Sequence, residues 1–589
     1  MVLLPSNGNP KIDVVYPVAG QCLKENGHHF IYGNVQPPHS RFTINGKKVS
    51  LYKNGAFMVY LPVQKGDFVF HCIATADGDT AKYEVPIYVD HTPEIPDDTF
   101  MIDYDSIEPK HPLILTSDDE LKVSVRATPG SKVSFKIDNT NDWFPLTAGK
   151  VHPDFYSGNL LLVDNIKTSA ANGGLVGTFE IDKMNPIKDR LIKLRIENSQ
   201  GNVIIHSFGN ISIITEPMAQ LIELTNEMTT VKTTGRNQHD LFLPVGIQFR
   251  VTGRKGKYWR VAFGKTFGWI NERNFKWLES DIQLHVQEID KIHFEELEGL
   301  SRIRIPLSNK MPFLVVQSRD QKTIKLIIWN VQAGQNIVLT NSTILVDRIT
   351  WENKTDDKLV LNFQLNLKQQ WGYFAYYQDN HLLLELKHPP KSESVEAPLM
   401  GKLIMLDAGH LPDEGAIGPS RLEEREVNWK ITEILKKLLE EGGATVLLTR
   451  SEEQGMTVPG RLKLINFVQP DVVISIHNNS LPDGFDPYRK RGTVTYYYHQ
   501  QSYPLARMIQ NNLIKDIKLP SQGVRFANLV LCKPTGMPAV LVEAAFMVLP
   551  KQEYLLGTQK FQNKIAKSLF KSLKQFFKKN QTTLTITND

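Results

Sequence analysis

Three short apolar runs near the end of the chain each stop at a residue that carries chemistry. Leu403 to Leu406 leads into Asp407-Ala408-Gly409-His410, Asp471 to Ile476 (DVVISI) into His477-Asn478-Asn479, and Ala539 to Val542 (AVLV) into Glu543. Runs of this length suit buried strands, and open α/β sheets build their sites at the C-terminal ends of strands. From Glu424 onward, apolar residues recur at Val427, Ile431, Leu435, Leu438 and Leu439, with Gly442-Gly443 as a stop. That is helical spacing with a C-terminal signal. Glu424 therefore falls in a first helical turn, where a carboxylate is electrostatically favoured. If the three strands are neighbours in one parallel sheet, two histidines and two glutamates converge. Three ligands, an open position for water and a further carboxylate are the parts of a His2Glu zinc hydrolase site.

Each residue alone has a plainer explanation. A histidine at a strand end is often a hydrogen-bonded turn residue. Glu424 is one of three carboxylates at a helix start, with Glu423 and Glu426 as rivals. Consecutive helical residues are rotated by about 100°, so only one of Glu423 and Glu424 faces a common centre. Glu543 is harder to dismiss, because a carboxylate inside an apolar run is either paired or functional.

Seven blocks in order extend the pattern: DAGH at Asp407 to His410, GAIG at Gly415 to Gly418, EREVN at Glu424 to Asn428, LLTR at Leu447 to Arg450, Arg461 with Asn466, SIHNN at Ser475 to Asn479, and LVEAAF at Leu541 to Phe546. In these blocks residues from about 400 to 580 resemble the zinc-dependent N-acetylmuramoyl-L-alanine amidases of the Amidase_3 type. The resemblance implies zinc bound by His410, Glu424 and His477, with Glu543 as the catalytic carboxylate. It implies cleavage of the amide between N-acetylmuramic acid and L-alanine in peptidoglycan or muropeptides. The chain departs from the family at Leu411-Pro412, where two glycines are usual, and at Ala545, where a glycine is usual. Both changes bear on the pocket rim and substrate fit more than on the ligand set. Between His477 and Glu543 no helix is left over to plug the site, so residues 400–589 are expected to act without an activator.

Upstream, the expected architecture is multidomain and all-β. Residues 1–90 read as an Ig-like β-sandwich, with Asn45-Gly46 as a hairpin signal. Residues 99–215 read as a second sandwich-like domain after the linker Asp90 to Asp98, with an unassigned middle from Asn139 to Gly174. Residues 216–280 resemble a bacterial SH3-like barrel, carried by VKTTG, Tyr258-Trp259, Gly268-Trp269-Ile270 and Trp277. Residues 281–388 read as a β-rich, targeting-like domain, and 389–399 as a linker to a C-terminal α/β zinc hydrolase domain at 400–589. On this reading, removing residues 1–398 weakens binding to insoluble wall and spares turnover of a small muropeptide.

Composition adds exclusions. No apolar run reaches membrane-spanning length, and no nucleic-acid-binding motif is present. The N-terminus, MVLLPSNGNPKIDVV, has neither a basic n-region nor an apolar core of signal-peptide length. The implied location, periplasm or cell envelope or extracellular, thus comes without a visible signal peptide. From Gly401 on there are 25 Lys+Arg and 18 Asp+Glu, +7 against +5 for the whole chain. That suits an anionic polymer, although Lys564, Lys567, Lys571, Lys574, Lys578 and Lys579 fit a solvated helix face. With no CxxC, a thiolate metal site is excluded; Cys22 and Cys72 share one β-domain and are candidates for pairing in an oxidising compartment. Cys532, in NLVLC, reads as a buried hydrophobe. Two other functions fit parts of the pattern: a zinc carboxypeptidase, needing a clamp such as Arg450, Arg461 or Arg525, and a non-catalytic cell-wall-binding scaffold.

Overall fold

Alternating apolar and polar residues dominate the chain ahead of residue 390, and a computed structural model folds them as strands. The structure describes residues 9–581 apart from 25, 91–94, 96–98, 117–118, 149–173, 181–185, 215–219, 234–239, 265, 280–283, 392–393, 395 and 490. Most of the linker after Asp90, much of the stretch between Asn139 and Gly174, the end of VKTTG, part of the 389–399 linker and the first eight residues of the N-terminal reading lie outside the described residues. No helix among the described residues is long and apolar enough to cross a membrane.

The first unit is two facing sheets. One holds Lys11–Tyr16, His28–Gln36 and Ala56–Pro62; the other holds Cys22–Lys24, Asp79–Asp90, Gly66–Ala76, Arg41–Ile44 and Lys47–Val49. Phe70, Cys72 and Ala74 are buried while His71 and Thr75 are exposed, the period-2 pattern of a strand with one face on the core. Asn45 and Gly46 take φ of 47° and 76° and join two paired strands, the turn geometry that Asn-Gly favours. Cys22 and Cys72 are both free thiols, the first exposed and the second in the core, so they do not form the disulfide considered above.

The second and third stretches share a sheet. Leu113–Thr116 pairs with Val203–Ile214 on one side and with Gln248–Lys255 on the other, carrying one twelve-stranded sheet across residue 215. Arg260 reinforces the junction through an ion pair with Asp119 and a 2.8 Å hydrogen bond to Thr116. Trp259 is packed edge-on against Phe275 and Trp277. From Ile222 to Leu386 one apolar cluster runs on without interruption, joining the third stretch to two further sheets at residues 287–387.

The last unit is α/β. Its sheet runs, in spatial order, Thr445–Leu448, Leu403–Ala408, Val472–Asn479, Ala539–Phe546, Thr493–Tyr497 and Ser521–Phe526. The first four are parallel, and Thr493–Tyr497 runs against Ala539–Phe546. Ile404 and Leu406 face a core built with helices Glu424–Glu441, Tyr503–Ile517 and Gln559–Lys579, while Met405 faces Ile465 of helix Val458–Val468. Burial on both faces explains why these strands read as unbroken apolar runs. Helix Tyr503–Ile517 spends Leu505, Ala506, Ile509 and Leu513 on that core, not on covering a site. All six lysines named above on the last helix are exposed.

Two upstream units pack on this domain. Gln317, Gln321, Gln369 and Gln370 form a buried network with Gln500 and Gln501, at 2.6–2.8 Å for its shortest bonds, and Trp371 stacks on Phe577. The three-stranded sheet of the first sandwich packs through Phe30 and Tyr32 against Leu481, Phe546 and Val548.

Candidate active site

His410 follows strand Leu403–Ala408 after Gly409, His477 lies near the end of Val472–Asn479, and Glu543 lies in Ala539–Phe546. Because these strands are adjacent and parallel, their ends share one edge. Glu424 is the first residue of its helix and points into the same place. One donor atom from each of His410, Glu424 and His477 lies within 4.8 Å of the others. His410 Nε2 is 2.9 Å from Glu424 Oε2, and His477 Nδ1 is 3.1 Å from Glu424 Oε1.

Glu424 is 4% exposed and fully held. Its Oε1 accepts from the Asn478 N–H at 3.0 Å and from Asn428 Nδ2 at 3.2 Å; its Oε2 accepts from the Ala416 N–H at 3.0 Å. Burial pushes its pKa up, but the hydrogen bonds of His410 and His477 outweigh burial and hold it well below the usual carboxylate range. Burial likewise disfavours charge on His410, and there the Glu424 and Asp413 carboxylates prevail and raise its pKa. Asp413 Oδ1 sits 2.5 Å from His410 Nδ1, fixing the ring as outer carboxylates do for metal-binding histidines.

The opposite holds at Glu543. Its Oε2 is buried and has no hydrogen-bond partner. Burial, with the charge on Glu424 adding to it, pushes its pKa well above the usual carboxylate range. Two neighbouring carboxylates driven in opposite directions are the arrangement from which acid–base roles are assigned.

Two glycines make room for the cluster. A Cβ on Gly409 would run into the His477 ring, and one on Gly415 would lie 2.6 Å from the His410 ring and 2.8 Å from Glu424 Oε2. A donor set of two imidazoles and one carboxylate, with space kept by glycines, fits a zinc ion.

The family profile described as "N-acetylmuramoyl-L-alanine amidase" (Amidase_3) matches residues 404–575. The germination-specific N-acetylmuramoyl-L-alanine amidase of Bacillus subtilis is 30% identical over 198 residues, covering 31% of this chain and 81% of that protein. The chain belongs to the N-acetylmuramoyl-L-alanine amidase family. A probable cell wall amidase, LytH, of Staphylococcus epidermidis is 31% identical over 32% of this amidase and 63% of its own length. Among solved structures, the catalytic domain of the amidase CwlV from Bacillus (Paenibacillus) polymyxa var. colistinus is 29% identical, covering 30% of this chain and 97% of that one with a TM-score of 0.28.

The amidase thus brings His410, Glu424, His477 and Glu543 to one edge. The rival carboxylates lie elsewhere: Glu423 pairs with Arg425 at 2.6 Å, and Glu426 is exposed. Two arginines considered as substrate clamps are committed to the backbone. Arg450 donates to the carbonyls of Ala408 and Arg425, and Arg461 to Asp407 and the carbonyls of Ala408 and Leu411. Arg525 is exposed on the edge strand Ser521–Phe526 and donates from Nε to the Gln522 carbonyl at 3.1 Å. Sequence reasoning did not assign roles to Asp413, Asn428 or Ala416. The EREVN spacing held a signal for Asn428, since a residue four after Glu424 faces the same way on a helix. A separate cavity of about 240 Å³, lined by Phe242, Tyr373, Tyr498 and Lys533, touches none of the four site residues.

Proposed function

We propose that His410, Glu424 and His477 hold a zinc ion and that Glu543 is the general base of peptidoglycan amide hydrolysis. The observation that carries this is the meeting of three donor atoms within 4.8 Å of one another beside a buried carboxylate with a free oxygen. The chemistry a zinc ion supplies there is polarisation of the scissile carbonyl and a lowered pKa for water. Glu543 takes the proton of the attacking water and delivers it to the leaving L-alanine amine. Asp413 and Ala416 hold His410 and Glu424 in place while the substrate reacts.

The division into modules at 1–90, 99–215, 216–280, 281–388 and 400–589 belongs to the same proposal, with the upstream modules carrying the enzyme to the wall and its action in the cell envelope or outside the cell. The carboxypeptidase alternative loses support because Arg450 and Arg461 are spent on backbone carbonyls. Incubating the purified, zinc-loaded chain with peptidoglycan and identifying the new ends tests the reading. Free L-alanine amino termini support it; free terminal amino acids would point to the carboxypeptidase, and no products to a scaffold.

A further inference from the structure

The loop 411–423 joins His410 to Glu424, and its backbone is unusual. His410, Leu411 and Arg421 have φ of 66°, 62° and 60°, a region that disfavours residues other than glycine. Such a conformation persists only where the surroundings impose it. Arg461 holds the first part, donating to the carbonyls of His410 and Leu411. The second part is held from the first β-sandwich. Tyr32 Oη donates to the Ile417 carbonyl at 3.1 Å, Asn34 and Asn54 donate to Ser420 Oγ at 3.1 and 2.8 Å, and Arg421 makes a two-pronged ion pair with Asp13 at 2.6 and 2.7 Å.

The connection from these contacts to the donor cluster is one peptide long. The Ala416 N–H donates to Glu424 Oε2 at 3.0 Å, and the Glu424 N–H donates to the Ala416 carbonyl at 2.9 Å. The next carbonyl along the chain, that of Ile417, is the one Tyr32 holds. Tyr32 itself is fixed by packing among Phe30, Leu481 and Phe546 and by stacking on Tyr16.

We propose that Tyr32 and Asp13 are positioning residues of the active site: the first β-sandwich, 385 residues away in sequence at its Tyr32 contact, holds the 411–423 loop so that Glu424 and His410 present their donors together. The sandwich is then part of the catalytic unit and not solely a targeting module. This inference rests on the metal reading above.

Full-length variants Tyr32→Phe and Asp13→Asn test it, with Tyr60→Phe as a control. Tyr60 donates to the Gly484 carbonyl at 3.2 Å from the same sheet but does not touch the 411–423 loop. Two quantities are measured: zinc affinity by competition with a chelating dye, and kcat and KM on a soluble muropeptide. Loss of a hydrogen bond made directly to a metal ligand weakens affinity by about 10–100-fold; Tyr32 and Asp13 act one step further out, through the 411–423 backbone, so the low end of that range applies. Tyr32→Phe and Asp13→Asn should therefore show zinc affinity and kcat both down about tenfold with little change in KM. Tyr60→Phe should stay within about twofold of wild type in both. The reciprocal pair Asp13→Arg with Arg421→Asp should recover most of what Asp13→Asn loses. Tyr32→Phe and Asp13→Asn that keep wild-type zinc affinity and kcat overturn the inference alone, as does a Tyr60→Phe loss equal to theirs. A wild-type chain that binds no zinc overturns the metal reading and this inference with it.

Discussion

His477 and Glu543 are register partners on adjacent parallel strands. One strand end therefore supplies an imidazole of the His410–Glu424–His477 donor cluster, and its neighbour supplies the carboxylate of Glu543. The sheet fixes the spacing between that imidazole and that carboxylate, and burial, with the charge of Glu424 adding to it, keeps Glu543 above the ordinary carboxylate range.

Arg461 is expected to be the most sensitive structural residue of the site. It is 3% exposed and pairs at 3.0 Å with Asp407, which is fully buried. Removing one partner of a buried pair costs about 3–5 kcal/mol. Arg461→Ala should lower the unfolding midpoint sharply, and Arg461→Lys should fall between it and wild type, since lysine keeps the charge and loses the fork. Equal midpoints for Arg461→Ala and wild type would contradict the ion-pair account.

The donor cluster was legible because it sits where periodicity is strongest. Buried parallel strands read as apolar runs, and the helix from Glu424 keeps Val427, Ile431, Leu435 and Leu439 inward. Which of Glu423, Glu424 and Glu426 turns inward was not decided by that periodicity, because three carboxylates crowd one helix start; side-chain contacts decide it. The sharing of a sheet across residue 215 was not legible either, since the strand Leu113–Thr116 finds its partner Gln248–Lys255 far along the chain. The docking of Tyr32 and Asp13 has no local signal at all. A tyrosine in a strand pattern reads as core or surface, and only tertiary contact gives it a role.

That docking revises one expectation. Sequence alone suggests that removing residues 1–398 spares turnover of a soluble muropeptide. With Phe30 and Tyr32 covering Leu481, Phe546 and Val548, and Trp371 packed on Phe576 and Phe577, the truncated domain should lose activity on soluble and insoluble substrates alike. Parallel assays on both substrates check this; full soluble activity would restore the view of the β-modules as targeting elements alone.

Glu553 gives a pH test at the same junction. It is 1% exposed, its Oε1 accepts from the Ser420 N–H at 2.6 Å, and burial pushes its pKa up to about 7 from an ordinary 4.5. Between those values the folded chain holds a proton the unfolded chain has lost. Its contribution to stability is therefore greatest below about pH 4.5, falls as pH rises to about 7, and is level above. The span is on the order of 3 kcal/mol. Glu553→Gln should flatten this part of the thermal midpoint against pH; an unchanged slope would contradict the assignment.

Ligand and base roles separate when metal content and turnover are measured together on Glu424→Gln and Glu543→Gln. Glu543→Gln keeps the shape and removes the basic oxygen, a role worth about 10²–10⁴-fold in rate. It should hold zinc stoichiometrically and lose most turnover. Glu424→Gln should lose zinc first, because it leaves two protein ligands of full strength, too few for a tight site, whereas Glu423→Gln and Glu426→Gln should retain it. A metal-free Glu543→Gln, or a zinc-replete and active Glu424→Gln, would contradict the account.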